Sequence, residues 1–288
     1  MSNAQPNLYR GFRHSADIDA AYNPSLNNPQ AAAYIADYAT RSELTRSKLH
    51  HLAGLRYGEH PRATLDFFPG TQHTAPLHVF FHGGYWRALS AQSFSFMANA
   101  LVEAGQHVAI VNYPLLPEVT LPEQIAAARK ALVWLWQHAT DLHIMPHHIT
   151  LLGHSAGAHL VASCLTTDWT LLGLPQHPWA RALYLSGLFD LAPFPHSWLQ
   201  PELQLRNTDV ATCSPLFKPI PTGCATLTVV GAHESTEFER QSRLWQSQLQ
   251  RLKPQHSHRF MKLEEHNHFS ILDDLALNRG PTLEFLLP

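Results

Sequence analysis

A serine between two glycines, in the motif G-H-S-A-G at residues 153–157, is the feature of this chain that most directly predicts chemistry. In a G-x-S-x-G motif the serine sits on a sharp turn between a strand and a helix, which presents its hydroxyl as a nucleophile. Side chains beside that strained turn would clash, so glycine is favoured on both sides. Residues 148–152 predict a buried strand and residues 156–165 a helix. This context favours Ser155 as a nucleophile over a chance match.

A glycine-rich loop, H-G-G-Y-W at residues 82–86, follows directly on the apolar run of residues 77–81. Because glycine has no Cβ, successive backbone N–H groups in such a loop can be approached closely and can point the same way. An oxyanion hole needs this arrangement, and lipases and esterases build theirs from a similar loop after a central strand. An ordinary glycine turn is the alternative, but the pairing with Ser155 favours the functional interpretation.

A serine hydroxyl becomes a good nucleophile when a base, usually histidine, contacts it and a carboxylate orients that base. In hydrolases with a G-x-S-x-G turn these partners follow in the order serine, acid, histidine, each after a strand. Glu234 after the predicted strand 226–230 and His268 after the predicted strand 259–263 satisfy this order. His266 is the rival base. Asp190, one strand earlier, is the rival acid, although it also suits a turn-forming role.

Strands and helices alternate along the chain in a way that predicts a mostly parallel sheet with right-handed crossovers. Apolar runs predict strands at 63–68, 77–81, 107–111, 148–152, 182–185, 226–230 and 259–263, and helical patterns cover 94–104, 121–138, 156–165 and 237–252. We therefore expect one α/β-hydrolase domain over residues 1–288, with helices flanking the sheet. Residues 1–60, with one or two helices in 31–52, and the proline-rich irregular segment 191–221 are candidates to cover the site.

Composition narrows the function classes further. The 288 residues contain 20 Lys plus Arg and 22 Asp plus Glu, and this balance argues against a nucleic-acid or anionic-membrane partner. Cys164, Cys213 and Cys224 form an odd set without C-x-x-C and predict buried free thiols. The 21 histidines are scattered and lack metal-site spacing, so we expect neither metal nor cofactor. Residues 1–19 do not resemble a signal peptide, and no run of 18 apolar residues occurs; a cytoplasmic protein is expected.

Taken together, the motifs resemble those of the arylformamidases (kynurenine formamidases) of the serine α/β-hydrolase type, which are related to the hormone-sensitive-lipase-like esterases. The resemblance covers nearly the whole chain. It rests on Y-N-P-S at 22–25, H-G-G-Y-W at 82–86, G-H-S-A-G-A-H-L at 153–160, D-W-T at 168–170, S-G-L-F-D-L at 186–191, E-F-E-R-Q-S at 237–242 and H-F at 268–269.

This resemblance implies hydrolysis of N-formyl-L-kynurenine to L-kynurenine and formate, a step of tryptophan degradation, through a formyl-enzyme. It implies a triad of Ser155, Glu234 and His268, and an oxyanion hole formed by the amides of Gly83, Gly84 and Ala156. The family's acid is typically Asp, so Glu234, one methylene longer, is a departure from the pattern.

Aromatic residues near the motifs are the candidates for contacting a substrate. Tyr85 and Trp86 are predicted to bind it, and Trp86, Phe189, Phe194 and Trp198 either line an aromatic slot or belong to the core. The expected partner is a small molecule, an aryl formamide or a small ester, and a homodimer is left open. A short-chain carboxylesterase would use the same residues, whereas a non-catalytic hydrolase-fold binding protein would usually lack a triad member.

Overall fold

One sheet organises the part of the chain that the computed structural model describes, residues 7–277 and 280–287. Its eight strands are β1 (Leu52–Arg56), β2 (Thr64–Phe68), β3 (Ala75–Phe81), β4 (His107–Val111), β5 (Ile144–His154), β6 (Trp179–Leu185), β7 (Ala225–Gly231) and β8 (His258–Leu263). They lie in the order β1-β2-β4-β3-β5-β6-β7-β8. The six neighbouring strands β4, β3, β5, β6, β7 and β8 pair in parallel. The pairs of β1 with β2 and of β2 with β4 are antiparallel. The predicted α/β-hydrolase fold with a mostly parallel sheet is confirmed.

Helices cover both faces of this sheet. The α-helices are α1 (Ser15–Tyr22), α2 (Pro24–Asn27), α3 (Ala31–Lys48), α4 (Asn99–Glu103), α5 (Leu121–Gln137), α6 (Ala156–Leu165), α7 (Gln200–Leu203), α8 (Asn207–Cys213), α9 (Thr236–Leu252), α10 (Asp273–Ala276) and α11 (Pro281–Leu286). Short 3-10 helices span Ala91–Ala98, Trp169–Leu172, Phe194–His196, Pro215–Phe217 and Ser270–Leu272.

The central strands read as continuous apolar runs because both of their faces are buried. Alternate residues of β4 illustrate this: Ala109 and Val111 join the core cluster beneath α5, α6 and α9, while Val108 and Ile110 join the cluster on the opposite face. Helix α5 starts where predicted because Thr120 forms a capping box with Glu123, which satisfies backbone groups left open at a helix start.

The sheet register brings together the two loops that the sequence predicts to be functional. In the parallel pair β3 and β5, Phe81 lies opposite Gly153. The chain leaving β3 into residues 82–86 and the chain leaving β5 into Ser155 therefore emerge side by side, at the carboxyl ends of the strands. Binding sites of open α/β sheets lie at this edge.

Three regions differ from the sequence-based expectation. Residues 52–56 form the edge strand β1, which was not predicted; most of it is exposed, so it lacks the apolar alternation of a half-buried strand. The helix expected over 94–104 is a 3-10 helix, Ala91–Ala98, followed by the short α4. Segment 191–221, expected to be irregular, contains α7, α8 and two 3-10 turns.

Candidate active site

Ser155 occupies a strained turn between β5 and α6. Its backbone angles, φ 54° and ψ −120°, lie in a region that residues with side chains rarely adopt. A Cβ at Gly153 would lie 2.4 Å from the carbonyl oxygen of Gly157, and a Cβ at Gly157 would lie 1.9 Å from that of Phe81. Both glycines are thus required sterically, as the spacing of the motif predicts.

The ring of His268 meets the carboxylate of Glu234. Nδ1 of His268 lies 2.7 Å from Oε2 of Glu234, and the two residues come from the loops after β8 and β7. The other carboxylate oxygen, Oε1, accepts hydrogen bonds from the Ser186 hydroxyl at 2.6 Å and from the Gly231 amide at 2.7 Å. Only 1% of the Glu234 side chain is exposed. Burying a carboxylate is costly unless it accepts hydrogen bonds, and these donors also fix its orientation toward His268.

The two rival residues make other contacts. The carboxylate of Asp190 accepts a hydrogen bond from the Tyr9 hydroxyl at 2.7 Å. The backbone carbonyl of His266 accepts one from the His233 amide at 3.0 Å. The structure thus brings Glu234, rather than Asp190, to the ring of His268.

The glycine loop after β3 lies against the serine. A Cβ at Gly83 would lie 3.2 Å from the Cβ of Ser155. Gly84 has φ 111°, and a Cβ there would lie 2.3 Å from the carbonyl oxygen of Ala88. Within residues 7–277 and 280–287 the amides of Gly83 and Gly84 have no acceptor. Ala156 begins α6, so its amide is among the first N–H groups of a helix, which have no intrahelical acceptor.

Two further histidines support these loops; both belong to the quoted motifs, but the sequence analysis gave neither of them a role. Nε2 of His154 lies 2.8 Å from the backbone carbonyl oxygen of His268 and so connects the serine turn with the histidine loop. Burial, with His268 close by, holds the pKa of His154 well below its ordinary value, so the neutral ring donates through Nε2. Burial also lowers the pKa of His82 to about 4. The ring of His82 stacks on Tyr113 with the centroids 4.3 Å apart.

Tyr85 and Trp86, both predicted to contact substrate, have different surroundings. Tyr85 lines the cavity at Ser155, and its hydroxyl donates to the backbone carbonyl of Tyr22. Burial, with Glu234 as a smaller influence, raises the pKa of Tyr85 and keeps that hydroxyl protonated. Trp86 is 0% exposed, and its indole N–H donates to Nδ1 of His159 at 3.1 Å. The prediction that Trp86 binds substrate is corrected: the side chain belongs to the core, where its indole N–H already has an acceptor.

The structure also decides between the aromatic slot and the core, the two alternatives left open for Phe189, Phe194 and Trp198. Phe189 and Phe194 are fully buried in the core. Trp198 packs edge-to-face on Tyr85, with ring centroids 5.5 Å apart, and thus supports the cavity wall from behind. Segment 191–221 contributes no residue to the cavity lining among the described residues.

Ser155 and His268 line one cavity of about 200 Å³. Its apolar wall includes Leu89, Phe94 and Phe269, and the N-terminal segment contributes Pro24 and Tyr38. A second cavity of about 220 Å³ adjoins it and shares Pro24, His268 and Phe269 with it. The N-terminal segment therefore lines both cavities, and two residues of the Y-N-P-S motif, Pro24 and Ser25, are among those at the cavity of Ser155.

Three further findings concern metal-ligand groups, cysteines and membrane-spanning helices among the described residues. No group of three or more His, Cys, Asp or Glu side chains within 7–277 and 280–287 could hold a metal ion. Cys164, Cys213 and Cys224 are free and buried, which confirms the prediction made from their spacing. No described helix combines the length and apolar character that crossing a membrane requires.

Comparison with known proteins shows the family. Residues 78–168 match a family model described as alpha/beta hydrolase fold. The chain is 30% identical to the kynurenine formamidase of Danio rerio over 90% of this chain and 91% of that protein. The chain belongs to the kynurenine formamidase family. A second member, from Drosophila melanogaster, is 27% identical over 94% of this chain and 96% of its own length.

The fold of this chain also matches that of a solved structure. A solved structure from a Silicibacter species matches with a TM-score of 0.80 at 27% sequence identity, covering 94% of this chain and 98% of that chain. As a member of the kynurenine formamidase family with an α/β-hydrolase fold, the protein is a hydrolase.

Proposed function

We propose that this kynurenine formamidase family member hydrolyses N-formyl-L-kynurenine to L-kynurenine and formate, with Ser155 as nucleophile. The observation that carries the proposal is the 2.7 Å contact between His268 Nδ1 and Glu234 Oε2 beside the cavity that Ser155 shares with His268. With Nδ1 held by the carboxylate, Nε2 of His268 is left to receive the serine proton.

The reaction begins with attack of Ser155 Oγ on the formyl carbon while His268 takes the hydroxyl proton. Glu234 stabilises the imidazolium that forms. The carbonyl oxygen becomes an oxyanion, and the amides of Gly83, Gly84 and Ala156 are assigned to bind it. Three observations support this assignment: Gly83 and Gly84 line the same cavity as Ser155, Ala156 follows the serine at the start of α6, and the amides of Gly83 and Gly84 have no acceptor among the described residues.

The tetrahedral intermediate then collapses and the C–N bond breaks. The aryl amine departs with the proton from His268, and the formyl group remains on Ser155 as an ester. Water, deprotonated by His268, attacks this ester, and His268 returns that proton to Ser155 Oγ as the C–O bond breaks. Formic acid leaves and releases its own proton to solvent to become formate. In each half of the reaction His268 takes up one proton and gives it back, so the cycle regenerates the free enzyme.

The leaving group makes this chemistry favourable for an aryl formamide. The aromatic ring delocalises the nitrogen lone pair, which leaves the formyl carbon more electrophilic than a peptide carbonyl. The formyl carbon carries only hydrogen, so the acyl side of the site can be shallow. The cavity of about 200 Å³ with the apolar residues Leu89 and Phe94 supports a small acyl group and a flat ring.

Steady-state kinetics with N-formyl-L-kynurenine beside a short-chain aryl ester test the proposal. Ester hydrolysis would use the same nucleophile, base and oxyanion donors, so the ratio of the two kcat/KM values decides. We expect kcat/KM to be higher for the formamide than for the short-chain ester, and lower still for esters with longer acyl chains. A tenfold preference for esters, with N-formyl-L-kynurenine barely turned over, would assign the chain to the carboxylesterases instead.

A further inference from the structure

A single arginine, Arg87, is among the described residues that line the cavity containing Ser155. It follows the glycine loop so closely that its backbone N–H donates to the carbonyl of Gly84 at 3.1 Å. Its side chain is 33% exposed, which places it at the opening rather than the floor. Among the described residues lining this cavity and the adjoining one, no other carries a permanent positive charge.

The guanidinium has one acidic partner. Nη1 of Arg87 lies 2.5 Å from Oε2 of Glu202, whose side chain is 47% exposed. Glu202 belongs to α7, in segment 191–221, so this ion pair connects that segment with the oxyanion loop. An ion pair this exposed contributes little to stability. A guanidinium has five N–H donors, and Nε and Nη2 of Arg87 have no partner within 7–277 and 280–287.

The substrate under the proposed function carries the complementary pattern. Beyond its ring, N-formyl-L-kynurenine ends in an α-amino acid, with a carboxylate and an ammonium group on one carbon. A guanidinium fork binds a carboxylate through two parallel hydrogen bonds, and a neighbouring carboxylate can accept from the ammonium. Adjacent opposite charges at the opening of a cavity with apolar walls therefore match the charged end of this molecule.

We propose that Arg87 and Glu202 form the subsite for the zwitterionic α-amino-acid group of the substrate, with Arg87 binding the carboxylate and Glu202 the ammonium. This inference rests on the proposed function. It makes Arg87 and Glu202 specificity-determining residues. It also gives segment 191–221, which does not line the cavity, a direct contact with the substrate at the opening.

The test compares N-formyl-L-kynurenine with a tail-less analogue, the N-formyl derivative of ortho-aminoacetophenone, which keeps the ring, the ketone and the formyl group. Arg87→Met should lower the ratio of kcat/KM for the charged over the tail-less substrate roughly 10- to 100-fold, since a charge-assisted hydrogen bond is lost. The loss should appear mainly in KM, because the tail binds equally in the ground and transition states. Arg87→Lys should recover part of the ratio, because it restores the charge without the fork.

A third substrate separates the two charges. N-formylkynurenamine keeps the ammonium and lacks the carboxylate, so the preference for N-formyl-L-kynurenine over it should vanish in Arg87→Met and persist in Glu202→Gln. Arg206→Met serves as the matched control. Arg206 also pairs with an acid in segment 191–221, Asp209 at 2.8 Å, but does not line the cavity; its ratios should equal those of the wild type.

The outcomes distinguish this inference from the proposed function. If the wild type prefers N-formyl-L-kynurenine but Arg87→Met and Glu202→Gln keep every ratio within twofold, the subsite is wrong and the proposed function stands. If the wild type turns over aryl esters and barely turns over N-formyl-L-kynurenine, both fail. Should Arg87→Met not fold, the exposed Glu202→Gln decides: we expect it to lose discrimination for the ammonium, and an unchanged response would overturn the subsite.

Discussion

The hydroxyl of Tyr9 donates to a carboxylate oxygen of Asp190 across 2.7 Å. Arg240 donates to the same hydroxyl at 2.6 Å, and burial together with Asp190 raises the pKa of Tyr9, so the hydroxyl stays protonated. This contact ties the N-terminal segment to the loop after β6. The same hydrogen bond engages the carboxylate of Asp190, the rival of Glu234. Asp190 therefore has a structural contact, while Glu234 is the acid assigned to His268.

Exchanging each carboxylate for its amide should expose this difference. Glu234→Gln should lower kcat by roughly 10³- to 10⁴-fold, because the amide cannot stabilise the His268 imidazolium. Asp190→Asn should leave kcat within about tenfold and act mainly on stability, because its contact with Tyr9 is structural. Kinetics and urea unfolding of both variants give the comparison. A larger kcat loss in a folded Asp190→Asn protein would show that the acid is assigned wrongly.

Ser155→Ala should abolish turnover without unfolding the protein. The proposed mechanism makes Oγ the attacking atom, and loss of a serine nucleophile typically lowers kcat by roughly 10⁴- to 10⁶-fold. Circular dichroism and thermal unfolding should match the wild type, because the side chain lines a cavity and the turn keeps its glycines. Turnover at the wild-type rate by folded Ser155→Ala would rule out the proposed mechanism.

Gly157→Ala should cost at least about 3 kcal/mol of unfolding free energy, a large effect for one methyl group. The added Cβ would lie 1.9 Å from the carbonyl oxygen of Phe81, which is backbone and cannot move aside alone. Gly58→Ala is the matched control, since its Cβ would lie 3.1 Å from the Cβ of Ala63 and should cost less than about 1 kcal/mol. Equal urea midpoints for the two variants would contradict the steric argument.

His159→Leu should destabilise the fold by about 2–4 kcal/mol. The ring bridges the Trp86 indole at 3.1 Å and the backbone carbonyl of Cys213 at 2.8 Å, and each buried group left without a partner costs about 1–3 kcal/mol. The exposed His148 provides the control, where the same substitution should change the urea midpoint little. A His159→Leu midpoint equal to that control would show that the bridge has no energetic role.

The free energy of unfolding should fall as pH is lowered from about 6.5 to 4. Burial lowers the pKa of His78, His82 and His159 to about 4 in the fold, whereas an unfolded chain titrates near 6.5. Between these values only the unfolded state binds the protons, so acid favours unfolding. His78→Leu should reduce the slope of stability against pH by up to about 1.4 kcal/mol per unit.

Urea unfolding at intervals across this pH range measures that slope. The exposed His50 is the control position, and His50→Leu should leave the slope as in the wild type. An equal slope for His78→Leu and the wild type would show that His78 does not contribute.

Much of the architecture could be predicted from the sequence because its causes are local. Strands buried on both faces carry continuous apolar runs, so β4 was predicted at its observed bounds and β7 to within one residue at each end. The turn at Ser155 is equally local: a strand, two glycines without room for a Cβ, and a helix follow one another in the chain. The edge strand β1 was missed because its exposed residues carry no such pattern.

Tertiary structure decided what the serine turn faces. Glu234 and Asp190 both follow strands, and their order along the chain could not show which carboxylate meets His268. In the fold Glu234 does so, whereas Asp190 accepts from Tyr9, which lies 181 positions before it. Trp86 likewise turns inward because His159, 73 positions later, accepts its N–H. Side-chain direction at the end of a strand depends on partners distant in sequence. The sequence by itself therefore determined the strained turn at Ser155 and most of the sheet. Only the packed chain selected the carboxylate that meets His268 and the segment that lines the cavity at Ser155.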